Sequence, residues 1–144
     1  MTDSVDPPPA EPRKRVLVTG GKGFIVCCSM MGESCAARLI IICQGGHVAR
    51  SLLRLGHFVR VADLPGPSHW HDVPDGLEIV EGDLRDRDFC RRVVRGVDWV
   101  LHFAANMGGM GVIHEDNELR IYEENDAMLL NVLEISAETG VTKF

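Results

Sequence analysis

"RVLVTGGKGFI" (residues 15–25) and "GGHVARSLLRLGHFVRVAD" (residues 45–63) read as two halves of one strand–turn–helix–strand phrase, with 19 residues, Val26 to Gln44, standing between them. Arg15 to Thr19 is a short apolar run ending in glycines, and His57 to Asp63 alternates towards a terminal acid; both patterns suit strands. Between them Val48, Leu52 and Leu55 share one helical face, and Gly56 is placed to stop the helix. With residues 26–44 set aside, Gly20, Gly23 and Gly45 complete G-x-x-G-x-x-G. Such a turn leaves its strand tightly, lets backbone approach a pyrophosphate, and starts a helix whose N–H groups and dipole face that anion.

The acid at the end of the second strand is an independent check, because a ribose-binding carboxylate belongs about 20 residues beyond the first glycine. Asp63 lies 43 positions past Gly20 in the chain as it stands and 24 positions past it once Val26 to Gln44 is removed. Only the shorter spacing fits.

Farther along, "LEIVEGD" (77–83) and "VDWVLHFAA" (97–105) give two more strands. The segment between them, "RDRDFCRRVVRG" (85–96), has Phe89 and Val93 one helical turn apart and ends at Gly96. A long helix is predicted from about Asp116 to Thr139, with Tyr122, Leu129, Leu130, Leu133 and Ala137 on one apolar face and Gly140 as its C-terminal cap. The final "VTKF" starts another strand. Strands alternating with helices through short turns predict an α/β fold, a doubly wound parallel sheet with helices on both faces, ending after the fourth strand–helix unit.

The totals agree with one soluble domain: 144 residues, 45% hydrophobic and 25% charged. A formal charge of -6, from 15 basic and 21 acidic side chains, argues against binding nucleic acid or acidic membranes. Residues 1–14 are polar and proline-rich with no apolar stretch behind the basic cluster, so they are expected to be a disordered tail on a cytoplasmic protein, with the domain at 15–144. Val26 to Cys43 is the only long apolar run, but Glu33 and Arg38 interrupt it and its length is marginal for a bilayer span.

Two further positions complete a pattern. Asp83 ends the third strand in "EGDLRD", and the small residues Ala104 and Ala105 end the fourth in "LHFAAN", where a bulky side chain would collide with a bound dinucleotide. In the order "VTGGKGFI…GGH", "VAD", "GDLRD", "HFAA" and then Asn125, the chain resembles the N-terminal part of an extended short-chain dehydrogenase/reductase of the NAD-dependent epimerase/dehydratase family. "AANMGGMGVI" (104–113) resembles the GDP-mannose 3,5-epimerase branch, in which this loop lies along the substrate; Asn106 stands where that branch has an aspartate.

The resemblance implies NAD as cofactor and a nucleotide sugar, a GDP-sugar first, as substrate, and it admits a homodimer for the intact family member. Gly20, Gly23 and Gly45 would line the pyrophosphate with Phe24 and Ile25 beside it. Asp63 would hold the adenosine ribose, Asp83 and Leu84 would flank the adenine, and Ala104 and Ala105 would leave room for the dinucleotide. Gly109 and Met110 would touch substrate. Leu64 rather than an arginine follows Asp63, which favours NAD over NADP. No catalytic residue is assigned: the family's Ser/Thr and Tyr-x-x-x-Lys lie beyond Phe144, and the one tyrosine, Tyr122, is followed by "EENDA" without the lysine. A non-catalytic NAD-binding module, or a non-functional product of a faulty gene model, is the alternative.

Plainer readings stand beside these. Asp63 suits a turn after a strand, "MGGMG" (107–111) suits a flexible loop, and "SHWHD" (68–72) is expected to be solvated rather than metal-binding, since His69 and His71 have no further ligand at zinc spacing. Cys90 is expected to act as a small buried hydrophobe.

The intervening stretch holds Cys27, Cys28, Cys35 and Cys43 without a C-x-x-C pair, so neither metal nor disulfide accounts for it. Val-Cys can be written GTATGT and glutamine CAG, the donor and acceptor signatures of an intron, and 19 residues correspond to 57 in-frame nucleotides. The expectation is a retained intron, with a genuine insertion as the alternative. As continuous helix it would carry Gly45 about 28 Å from Ile25 at about 1.5 Å per residue, breaking the site unless it loops out. "ESCAARLIIIC" (33–43) is expected to be helical, with the sheet-packing helix resuming near Gly46.

Overall fold

The computed structural model describes residues 12–22, 26–27, 40–41, 44–66, 68, 70, 72–106 and 118–144. Its elements run β1 (Arg15–Thr19), β2 (Val26–Cys27), β3 (Ile40–Ile41), α1 (Gln44–Arg54), β4 (Phe58–Asp63), β5 (Leu77–Glu81), α2 (Arg87–Val94), β6 (Trp99–His102) and α3 (Glu118–Thr139). Four strands form one parallel sheet in the order β5-β4-β1-β6. β1 is central because it leads outward in both directions, to β4 by way of α1 and to β6 by way of the later units. In place of the strand expected at "VTKF" the structure has an isolated parallel bridge, Lys143 with Trp99, that sets this segment beside β6.

Each face of the sheet carries its own apolar layer, as alternating side chains on a strand require. Val16, Val18, Val59 and Val61 face Ala49 of α1 and Trp70, while Leu17, Ala62 and Val100 face Phe89, Cys90, Val93 and Val94 of α2 and Val132 and Ile135 of α3. Helices therefore cover both faces, the doubly wound arrangement the sequence predicts.

Helix α2 is well capped. The Asp86 carboxylate accepts from Asp88 N at 2.9 Å, and the Arg60 guanidinium donates to the carbonyls of Val93 (2.7 Å) and Arg95 (3.0 Å) at its C-terminal end. Cys90 is fully buried with its Sγ on the Leu84 carbonyl, and burial pushes its thiol up to about 11. A small hydrophobe is what it is here.

Two helical faces differ from expectation. On α1, Ala49 is buried while Leu55 is 73% exposed, because the helix ends at Arg54 and Leu55 lies in the turn leading to Gly56, whose φ is +84°. On α3 the row Tyr122, Leu129, Leu130 and Leu133 is exposed, and the packed side is Val132, Ile135 and Ser136. The helix is apolar on two sides, and periodicity alone does not say which one meets the sheet.

The stretch between Ile25 and Gly45 also differs. Ile40 and Ile41 are strand rather than helix: β3 pairs antiparallel with β2, Val26 opposite Ile41 and Cys27 opposite Ile40. The chain therefore leaves and returns at one place, and α1 starts at Gln44 beside the point of departure. Residues 33–39 and 42–43 of the expected helix lie outside the described residues.

Phe89 anchors the β5 side of the core, where a Cβ on Gly82 would stand 2.3 Å from its ring. Truncation with Phe89→Ala is expected to lower unfolding free energy by about 3–5 kcal/mol in a urea titration. A loss below about 1 kcal/mol would contradict this packing.

Candidate functional site

At the C-terminal edge of the sheet the end of β1, the start of α1 and the end of β6 meet with no space between their backbones. Gly20 has φ +70°, and a Cβ there would lie 2.8 Å from Ala104 N. On Gly45 it would lie 2.8 Å from the Gly20 carbonyl oxygen, and on Gly21 it would lie 2.7 Å from Val61 Cγ1. Side chains at these points are sterically excluded. The first turn of α1, Gln44 to Gly46, is thereby held against the glycine turn, bringing the N–H end of the helix and the positive end of its dipole to the strand end.

Thr19 fixes the neighbouring ends. Its Oγ1 accepts from Phe103 N and Ala104 N, both at 3.1 Å, and lies 2.9 Å from His102 Nδ1. With two N–H groups donating to it, the hydroxyl donates in turn to Nδ1, which leaves the imidazole proton on Nε2. Burial holds His102 below its usual pKa.

Asp63 closes β4 with both carboxylate oxygens engaged by backbone: Oδ2 accepts from Lys22 N at 2.6 Å and Oδ1 from Leu64 N at 2.8 Å. The acid is thus tied to the glycine turn rather than free in a loop. Lys22, only 4% exposed, extends across the end of β4, where its Nζ donates to the Leu64 carbonyl at 3.2 Å and pairs with Glu81 at the end of β5. Asp83 is bound by Arg85, whose Nη2 donates to Oδ2 at 2.6 Å and whose Nε donates to Oδ2 at 2.9 Å and Oδ1 at 3.1 Å, and that hydrogen bonding holds its carboxyl below the usual range. Leu84 is 3% exposed, its side chain belongs to the core and its carbonyl accepts from Cys90 Sγ and Asn131 Nδ2.

Beyond β6, Ala104 is half-buried under Gly20, and Ala105 is exposed. The Asn125 side chain pairs with the backbone of Asn106, accepting from its N–H at 2.6 Å and donating to its carbonyl at 3.0 Å. Asn106 Nδ2 donates to Glu124 at 2.9 Å, which with Arg120 lowers that carboxyl's pKa. This lashes the loop after β6 to α3.

Of the residues assigned from sequence, Gly20, Gly45, Asp63, Asp83, Leu84, Ala104 and Ala105 gather along this one edge. Gly23, Phe24, Ile25, Gly109 and Met110 lie outside the described residues, as do His69 and His71. The "SHWHD" loop is not simply solvated: Trp70 is 8% exposed, its indole N–H donates to the Gly21 carbonyl at 3.3 Å, and Arg50 stacks on its ring at 4.6 Å. Sequence reasoning does not single out Trp70, Thr19, Lys22 or Glu81. A lone tryptophan between polar residues is the one available signal. Among the described residues no group of three His, Cys, Asp or Glu side chains could hold a metal ion.

Comparison with known proteins agrees with this geometry. The family model described as the NAD dependent epimerase/dehydratase family matches residues 43–144. The chain belongs to that family. Among individual relatives, GDP-mannose 3,5-epimerase 1 of Oryza sativa subsp. japonica is 32% identical over 130 residues, covering 90% of this chain and 29% of the relative. The 3 beta-hydroxysteroid dehydrogenase/Delta 5-->4-isomerase of Mycobacterium tuberculosis is 34% identical over 133 residues, covering 90% and 30% respectively. Among solved structures, UDP-glucose 4-epimerase of Thermus thermophilus in complex with NAD superposes with a TM-score of 0.63 at 32% identity, over 88% of this chain and 35% of that one. The chain thus spans about a third of the length of these relatives.

Because His102 has a lower pKa in the folded chain than its ordinary value of 6.5, the unfolded chain binds more protons as pH falls through that value. Stability is expected to decline as pH falls through His102's ordinary value of 6.5, and His102→Gln is expected to flatten that decline in thermal melts. Asp83 and Glu124, whose folded values are depressed, contribute stability that is lost only at more acidic pH. An unchanged slope in His102→Gln would contradict the burial of this imidazole.

Proposed function

We propose that this chain is the NAD-binding part of a nucleotide-sugar epimerase/dehydratase, with a GDP-sugar as the substrate class. The observation that carries the reading is the backbone crossing of Gly20 and Gly45, next to a carboxylate, Asp63, pinned at the end of the neighbouring strand. Gly20, Gly23 and Gly45 form the anion end, where the α1 N-terminus offers N–H groups to the pyrophosphate. Asp63 accepts from the ribose hydroxyls, Asp83 and the backbone at Leu84 border the adenine, and Ala104 and Ala105 leave the space the dinucleotide needs. Bound there, NAD supplies a hydride acceptor for a sugar hydroxyl carbon.

Gly109 and Met110 lie along the sugar nucleotide in this reading, in the loop that Asn125 and Glu124 tie down at its Asn106 end. The exposed apolar row of α3 supports a homodimer of the intact family member, in the cytoplasm. No helix among the described residues is long and apolar enough to cross a membrane. Tyr122 is 65% exposed and has no lysine four residues on, so the chain by itself is read as binding NAD without turning over sugar.

Residues 26–44 belong to the proposal as an excursion the site does not need. Gly45 already touches Gly20 and Gly21, so residues 23–25 alone can link Lys22 to Gly45 at about 3.3–3.6 Å per extended residue. Deleting Val26 to Gln44 is expected to raise the melting temperature and to give a chain that binds NAD more tightly than NADP. In that shortened chain, Asp63→Ala is expected to weaken NAD at least about tenfold while leaving the circular dichroism unchanged, the loss of a charge-assisted hydrogen-bond pair. Unfolding on deletion would make the stretch a genuine part of the domain, and tighter NADP binding would overturn the cofactor assignment.

A further inference from the structure

We propose that Lys22 and Glu81 form a charge latch that sets the choice between NAD and NADP at the adenosine end. The inference rests on the reading that the dinucleotide lies along this edge with its ribose at Asp63.

Three charged side chains converge there from three elements. Asp63 ends β4, Glu81 ends β5, and Lys22 comes from the turn after β1 and reaches over the intervening strand. The Lys22 backbone N–H donates to the Asp63 carboxylate at 2.6 Å, while its ammonium lies on the carbonyl of the next residue, Leu64, at 3.2 Å. One residue therefore contacts the ribose-binding acid through its backbone and the following residue through its side chain. The lysine side chain is 3% exposed and Glu81 is 46% exposed, so the cation is covered and its acidic partner faces solvent at the mouth of the site.

Asp63 and Glu81 carry two negative charges against one positive. A ribose with free hydroxyls needs only the acceptor oxygens of Asp63. A 2'-phosphate beside Asp63 adds further negative charge, and the Lys22 ammonium, which lies on the carbonyl of the next residue, Leu64, is already paired with Glu81. Glu81 thus acts as a built-in competitor for the group that would otherwise welcome NADP. Lysine serves this role as a compact ammonium on a flexible stem, able to turn from one anion to another. The leucine in place of an arginine after Asp63 is then only part of the basis for NAD preference. Glu81 supplies the rest, and the effect of Lys22 depends on whether Glu81 is charged.

The test is a fluorescence titration of the full 144-residue chain with NAD and with NADP, for wild type, Glu81→Gln, Lys22→Met and the double variant, with melting temperatures measured alongside. Glu81→Gln keeps the size of the side chain and removes its charge. It is expected to shift the NADP-to-NAD affinity ratio towards NADP by about tenfold or more, the scale of one charge-assisted hydrogen bond to phosphate. Lys22→Met is expected to shift the ratio the opposite way, and the double variant to lose the gain seen in Glu81→Gln. If Glu81→Gln weakens both dinucleotides equally, or if its shift persists without Lys22, the latch is a structural tie only and the assignment falls. Should Glu81→Gln fail to fold, an unaltered ratio in Lys22→Met overturns it instead. A wild-type chain that binds neither dinucleotide would overturn the cofactor reading itself, a different failure from an unaltered ratio.

Discussion

The close approach of Gly45 to the Gly20–Gly21 turn is the contact on which the candidate site depends. It places the first turn of α1 at the end of β1, and it works because Gly45 has no Cβ, which would lie 2.8 Å from the Gly20 carbonyl oxygen; a Cβ on Gly20 would in turn lie 2.8 Å from Ala104 N on the other side. Gly20 also needs its positive φ so that the chain can leave the strand while its N–H still donates to the Ala62 carbonyl at 2.9 Å. That bond ties the turn to β4, and the Asp63 carboxylate on Lys22 N repeats the tie one step farther out. Geometry at the glycine turn and at Asp63 is therefore set by the same few backbone groups.

The 19 residues from Val26 to Gln44 leave this contact in place, with Val26 paired to Ile41 and Cys27 to Ile40. Lengthening a loop between ends that are already held together costs little entropy, since the closure term grows only with the logarithm of length. A continuous helix through the same stretch would have pulled the two glycines apart. The antiparallel pairing near the two ends of the stretch is compatible with α1 starting against the end of β1.

Much of this is legible in the sequence. The strands are short apolar runs with clear stops, and the run Arg15–Thr19 has the bounds that β1 has in the fold. Asp63 stands out by its spacing once the interruption is removed. What escapes depends on side chains from distant positions meeting: Lys22 and Glu81 are 59 residues apart, and Trp70 reaches Gly21 over 49. No local pattern encodes such pairs. The faces of α1 and α3 elude sequence reasoning for a related reason, since apolar residues on more than one side leave the choice to tertiary packing. On α3 the exposed leucines are the ones periodicity favours, while a mixed row with Ser136 meets the core.

The central claim is that direct backbone contact between Gly45 and Gly20 builds the anion end of the site. Its most direct test is calorimetric titration of NAD into the full-length chain and into its Gly45→Ala variant, with circular dichroism as a check on the sheet. The added methyl must displace the Gly20 carbonyl, an overpacking that typically costs about 1–3 kcal/mol. The account predicts that NAD affinity falls at least about tenfold while the secondary structure is retained. Unchanged affinity in a folded Gly45→Ala variant would contradict it.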